Sequence, residues 1–155
     1  MNNKTILILD NIRSTHNVGS IFRTADAAGV TKIFLIGTTP DPLDRFGRVQ
    51  KDISKTALGA EKNIPWEHAT DTIDLLSKFP NHFKIALEQS ENSVDYKTVL
   101  AKEQNIIILG PEVTGLPENI LDACDVVAEI SMNGMKESLN VSVATGIFLF
   151  RFLNI

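Results

Sequence analysis

A chain of 155 residues, 43% hydrophobic and 22% charged, has the material for one compact domain with a real core. Its formal charge of −4 and pI near 5.3 argue against a molecule coated in positive charge. A single cysteine, Cys124, excludes an internal disulfide and a cysteine-rich zinc site and fits a reducing cytoplasm, and the scattered His16, His68 and His82 give a metal site no support.

Thr5 to Leu9, TILIL, predicts a buried parallel strand, and the run stops at Asp10, too soon for the core of a secretory leader. No apolar run reaches the ~18 residues of a membrane span. After a polar turn, Asn17 is placed to cap a helix that Gly29 ends, with Val18, Ile21, Phe22 and Ala25 on its apolar side. Lys32 to Ile36 predicts a second strand, and TTPDPLDRFGRVQ an irregular, turn-rich connection. KDISKTALGA predicts a short helix ended by Gly59, Pro65 to His68 a brief strand, and Thr70 to Phe79 a helix with Ile73, Leu75, Leu76 and Phe79 inward. Lys84 to Leu87 predicts a strand followed by a polar loop, EQSENSVD. Asn105 to Leu109, NIIIL, is the clearest strand and enters GPEVTGLPENI, where Pro117 suits the first turn of a helix ending near Cys124. The chain closes with a short strand (Ala128 to Ile130), a polar loop (Ser131 to Glu137) and a helix apolar on nearly every face. Strands alternating with helices predict a single α/β domain over 1–155, a mainly parallel sheet flanked by helices.

Three polar clusters directly follow predicted strands, and ligands of open parallel sheets sit outside the carboxyl ends of the strands. NVGSIFRT, from Asn17 to Thr24, reads either as a capped helix with a solvated Arg23 or as Asn17 and Arg23 aimed at one site, arginine offering a rigid fork for phosphate. LGPEVTGL is either an ordinary strand-to-helix turn or a place where Gly110 and Gly115 let backbone approach a ligand, with Glu112 needing a partner. Ser138, Leu139 and Asn140 either cap a core helix or form a ligand wall. Neither the dinucleotide fingerprint nor a P-loop is present, which disfavours a dinucleotide-dependent oxidoreductase.

Taken together and in order, NVGSIFRTADAAGV, IILGPEVTGLPENIL and ISMNGMKESLNVSVATG resemble the signature of the SpoU (TrmH) family, RNA ribose 2′-O-methyltransferases of the SPOUT superfamily. The resemblance runs from Asp10 to Phe150; Ser131 stands where the family often has proline, and a bare catalytic core without the added RNA-binding domain of many relatives is expected. It implies a C-terminal trefoil knot and S-adenosylmethionine held there by the loops at Leu87 and at Gly110, Glu112 and Gly115, together with Ile130, Met132, Ser138 and Leu139. It also implies a reaction centre of Asn17, Arg23, Glu112 and Asn140, and a homodimer that completes the site. A guanidinium stays protonated at any ordinary pH, so Arg23 is expected to clamp phosphate and orient the 2′-hydroxyl rather than act as a base. The expected substrate is tRNA, with ribosomal RNA as the alternative and a non-catalytic RNA-binding α/β module as the reading from another class.

An acidic chain that binds RNA must segregate its charge. From Arg45 to Lys62 five basic residues (Arg45, Arg48, Lys51, Lys55, Lys62) face two acids (Asp52, Glu61), a local balance of +3. This is either a solvated helix face or, with Arg13 and Arg23, the RNA face. The last helix carries apolar residues from Val141 to Leu153 all round, which requires cover on every side and points to a second subunit.

Overall fold

The computed structural model describes residues 3–155. Its strands are β1 (Lys4–Asp10), β2 (Lys32–Ile36), β3 (Trp66–Ala69), β4 (Phe83–Leu87), β5 (Val94–Asp95), β6 (Gln104–Leu109) and β7 (Val126–Glu129). The helices are α1 (Thr15–Ala28), α2 (Lys51–Ala57), α3 (Ala60–Asn63), α4 (Thr72–Ser77), α5 (Glu118–Asp122) and α6 (Val141–Leu153). All strands pair in parallel in one seven-stranded sheet of order β3-β2-β1-β6-β4-β7-β5. No helix among the described residues is long and apolar enough to cross a membrane.

The continuous apolar runs are explained by burial on both faces of the sheet, because successive side chains of a strand point to opposite sides. Leu7, Leu9, Ile33, Leu35, Ile85, Ile107 and Leu109 pack on one face with Ile21, Phe22 and Phe148 of α1 and α6. Ile6, Ile8, Phe34, Ile36, Ile106 and Ile108 pack on the other with Leu75 and Leu76 of α4 and Ile120 of α5. On the first face α1 lies so close to α2 that a Cβ on Gly19 would sit 1.9 Å from Thr56 Oγ1 and 2.4 Å from the Ile53 carbonyl. Gly19 therefore serves helix packing, not ligand approach.

Two helix ends differ from the sequence expectation. Ser14, not Asn17, caps α1, its side chain accepting from Asn17 N, so Asn17 falls inside the first turn and its amide is free to reach elsewhere. Helix α2 ends at Leu58, which adopts the left-handed conformation at φ 52°, and Gly59 opens α3 instead. Strand β5 lay hidden in EQSENSVD because two exposed residues carry no hydrophobic pattern.

The order of the last strands makes the crossing at the C-terminal end. Strand β7 lies between β4 and β5, whose joining loop (residues 88–93) therefore spans it. The chain leaving β7 meets that loop again, where Gln89 Nε2 donates to the Glu137 carbonyl at 2.8 Å, before α6 packs against α1 on the far face. This is the trefoil-knotted arrangement, with the loops after β4, β6 and β7 brought to one end of the sheet.

Candidate active site

Those three loops enclose a cleft of about 590 Å³. Leu87, Gly110, Glu112, Gly115, Ile130, Met132, Ser138 and Leu139, chosen from sequence as cofactor contacts, all line it. Leu87, Leu109, Leu116, Ile130, Leu139 and Val141 supply apolar wall. The charged lining is one-sided: Glu88, Glu91, Glu112, Glu118, Glu129 and Glu137, with no lysine, arginine or histidine. The volume falls within the usual range of small-molecule sites, ~300–1,000 Å³.

Glu88 is the residue that sequence reasoning missed. Its Oε2 accepts from Leu116 N at 3.0 Å and its Oε1 from Gln89 N at 2.9 Å, so one carboxylate ties the loop after β4 to the loop after β6. Gly115, at φ 67°, lies against this carboxylate, and a Cβ there would meet Glu88 Oε2 at 2.8 Å. The signal was available: Glu88 follows a buried strand in the same way as Glu112 and equally needs a partner.

Asn17, Glu112 and Asn140 form a hydrogen-bonded clamp. Asn17 Nδ2 donates to Glu112 Oε1 at 3.0 Å, and Asn140 Nδ2 donates to Asn17 Oδ1 at 3.1 Å. Asn140 Oδ1 caps α6 by accepting from Ser142 N at 2.9 Å. Glu112 Oε1 also accepts from Val141 N at 3.1 Å, which sets a carboxylate on the positive end of the α6 dipole. One side chain thus both caps α6 and joins the Asn17–Glu112 hydrogen bonds. The clamp joins residues 95 and 123 positions apart in sequence and fixes α1 and α6 against the loop after β6.

Arg23 is not part of this constellation within one chain. It is exposed and lines a separate groove with Ser20, Thr24, Ala27, Lys55, Thr56 and Phe150. Arg13 lies in a third concavity, of about 810 Å³, which shares Glu112, Pro111 and Gly115 with the cleft and adds Asn11, Ser14 and Asn17. Arg45 and Arg48 stand on an exposed turn within residues 42–50, and Lys51 opens α2. On α6 the uncovered side is a stripe, Val143, Ile147 and Phe150, at helical spacing; the remaining apolar residues are buried or half-buried in the same chain.

A parallel sheet with the knotted crossing at its C-terminal end, and a cleft walled by the three crossing loops, define the SPOUT class of α/β fold. A family profile described as the SpoU rRNA methylase family matches residues 4–150, and the chain belongs to that family. It is 34% identical over 149 residues to a putative TrmH family tRNA/rRNA methyltransferase of Staphylococcus aureus (strain COL), covering 94% of this chain and 57% of that protein. Among solved structures, the AdoMet-bound rRNA methyltransferase from Sinorhizobium meliloti superposes with TM-score 0.88 at 31% identity, over 99% of this chain and 57% of its own. The A. aeolicus TrmH/SpoU tRNA modifying enzyme superposes with TM-score 0.84 at 27% identity, over 98% and 75% of the two chains. The chain thus spans little more than half the length of the curated relatives it matches.

Proposed function

We propose that the protein transfers the methyl group of S-adenosylmethionine to a ribose 2′-hydroxyl of RNA, with tRNA as substrate, acting in the reducing cytoplasm that its lone thiol suits. The observation that carries this reading is the lining of the cleft: apolar walls for a purine ring, and six carboxylates without a cation. S-adenosylmethionine carries a sulfonium and an ammonium against one carboxylate, whereas its demethylated product is neutral overall. An acidic cleft therefore favours the donor over the product and helps the site turn over.

When bound, the cofactor supplies an electrophilic methyl on sulfur, and what remains for the protein is alignment and handling of the hydroxyl proton. Alignment can contribute up to roughly 7–11 kcal/mol to such a step. The clamp of Asn17, Glu112 and Asn140 supports this by fixing the wall that separates the cleft from the Arg13 concavity. In our reading that concavity admits the ribose, and Arg13 holds a neighbouring phosphate. Arg23 grips phosphate with its fork and orients the 2′-hydroxyl, and the proton leaves through phosphate or water.

Arg23 reaches the clamp from a second copy of the chain in this reading. Its groove is bordered by Phe150, one of the three exposed apolar residues of α6, so a homodimer built on Val143, Ile147 and Phe150 would seat Arg23 at the interface. The test is direct: titrate the protein with S-adenosylmethionine and with the demethylated product by calorimetry. Then incubate it with labelled donor and either total tRNA or ribosomal RNA, and map alkali-resistant linkages. Donor bound more tightly than product, with label in tRNA, supports the proposal; label in ribosomal RNA alone corrects the substrate. Absence of donor binding leaves only a non-catalytic module.

A further inference from the structure

The turn-rich segment after β2 is a built hairpin. Leu43 and Val49 form an antiparallel bridge, and Gln50 N donates to the Pro42 carbonyl at 2.9 Å. At its tip one carboxylate organises the turn: Asp44 accepts from Phe46 N at 2.8 Å, Arg48 N at 2.9 Å and Arg48 Nε at 2.7 Å. These bonds hold the Asp44 carboxyl below its usual range, the Arg48 backbone bond foremost, and Gly47 supplies the φ of 75° that the turn requires. What this ordered tip displays is Phe46, 67% exposed, with the guanidinium carbons of Arg45 and Arg48 at 4.7 and 5.0 Å from its ring centre. Asp44 takes the Nε of Arg48 and leaves its outer fork free, while Arg45 has no carboxylate partner among the described residues.

This large apolar ring, held out into water by a rigid polar turn, is a member of neither core cluster. Its neighbours decide what it meets. An aromatic face flanked by two guanidinium groups presents a stacking surface for a base and charge for the phosphates on either side of it. The hairpin also springs from the wall of the candidate site: Ile12 N donates to Thr39 Oγ1 at 3.0 Å and Thr38 N to Asn11 Oδ1 at 3.0 Å. Asn11, Ile12 and Arg13 belong in turn to the concavity that shares Glu112 with the cleft. On a chain of net charge −4, Arg13 on that wall and Arg45 and Arg48 on the hairpin supply the cations to which an anionic strand would be drawn.

We propose that Phe46, Arg45 and Arg48 form a stacking platform for an unpaired nucleobase of the RNA substrate. The platform grips a base near the methylated nucleotide and gives an acidic chain its affinity for single-stranded RNA. This inference rests on the RNA methyltransferase reading and adds to it a binding residue, Phe46, that is not charged.

The experiment compares the full chain with Phe46→Ala, Phe46→Leu, Phe46→Trp, Arg45→Ala and Arg48→Ala variants. The probes are a short fluorescein-labelled single-stranded RNA, the same RNA annealed to its complement, and S-adenosylmethionine alone. Phe46→Ala and Phe46→Leu should weaken single-strand binding by about tenfold while leaving its salt dependence and donor binding unchanged. Phe46→Trp should keep the affinity and lose indole emission on binding. Each arginine variant should lower the salt slope by about one. Wild-type affinity in Phe46→Ala, or in Phe46→Leu, overturns the platform, as does a protein partner captured on the hairpin while RNA binding is unmoved. If the wild type binds donor and methylates RNA in those cases, the methyltransferase reading stands; a wild type that binds neither donor nor RNA ends both.

Discussion

The cleft and the Arg23 face differ in completeness. Everything that shapes the cleft comes from one chain: three loops rooted in neighbouring strands, the Glu88 tie and the clamp of Asn17, Glu112 and Asn140. The Arg23 face, half a site on the proposed dimer, has a cation on α1, a second at Lys55, an exposed Phe150 and, among the described residues, no hydrogen bond from Arg23 to the clamp. On the proposed function, the difference makes cofactor binding and methyl transfer separable properties of this fold. The first should survive any change that leaves the knot intact, and the second should depend on what covers α6.

The largest effect that sharpens this contrast is at Arg23. Arg23→Ala should lower the turnover number roughly 10²–10³-fold, the usual loss for one donor aimed at developing charge, while the donor affinity measured by calorimetry stays within about twofold. Arg23→Lys should recover little, because lysine keeps the charge and loses the fork. Near-full activity in Arg23→Lys would remove the clamp role, and weakened donor binding in Arg23→Ala would merge the two regions.

Mixing two variants, each first shown to be inactive alone, breaks the comparison in a second way. If Arg23 acts on the clamp of a second copy, a mixture of Arg23→Ala and Glu112→Ala chains that exchange freely should regain about a quarter of wild-type activity. Half of the dimers would then be mixed, each with one intact site of two. If both groups act within one chain, no mixture regains any. Ile147→Glu, which charges the exposed stripe, should abolish the recovery and give a monomer by sedimentation, with the cleft still able to bind donor.

How much of this was legible in the sequence depends on what each residue signals. Strands β1, β2 and β6 were plain because burial on both faces writes an unbroken apolar run. That the eight residues expected to hold the cofactor would line one cleft was legible only through the resemblance, since no local pattern shows that residues 87, 110 and 139 meet. The knot is invisible to periodicity for the same reason: it is a matter of which strand passes between two others. Asn17 was misread as a cap because asparagine is a good one, but Ser14 stands one turn earlier and takes the task. Phe46 gave no signal at all, because one aromatic in a turn-rich segment looks like any other until the hairpin is seen to hold it in water.

Glu112 tests whether the clamp holds the cleft or only decorates it. Glu112→Ala removes the acceptor for Asn17 Nδ2 and Val141 N in an exposed setting, so the stability loss should be ~1 kcal/mol. Glu112→Gln should lose less, as its amide oxygen still accepts. The informative readout is donor affinity against melting temperature. A several-fold loss of donor binding with a small shift in melting means that the clamp sets the cleft wall. A shift in melting alone reduces the clamp to helix capping.

The smallest effect concerns the back of the cleft, where α5 supplies Glu118 and Leu121 to the lining and ends beside Cys124. Burial, helped by the charge of Asp125, pushes the Cys124 thiol up to about 12. The folded state therefore holds a proton that the unfolded chain gives up nearer 9, so this group's contribution to stability is intact below that value and declines as pH rises above it. At neutral pH the thiolate fraction is minute, and alkylation of Cys124 should be far slower than that of the same thiol in denaturant. Saturating donor should slow it only slightly further, because Cys124 already packs against the core and does not line the cleft. Rapid labelling that donor suppresses would show instead that α5 opens, and the cleft would then be as incomplete without its ligand as the Arg23 face is, on the proposed dimer, without a partner.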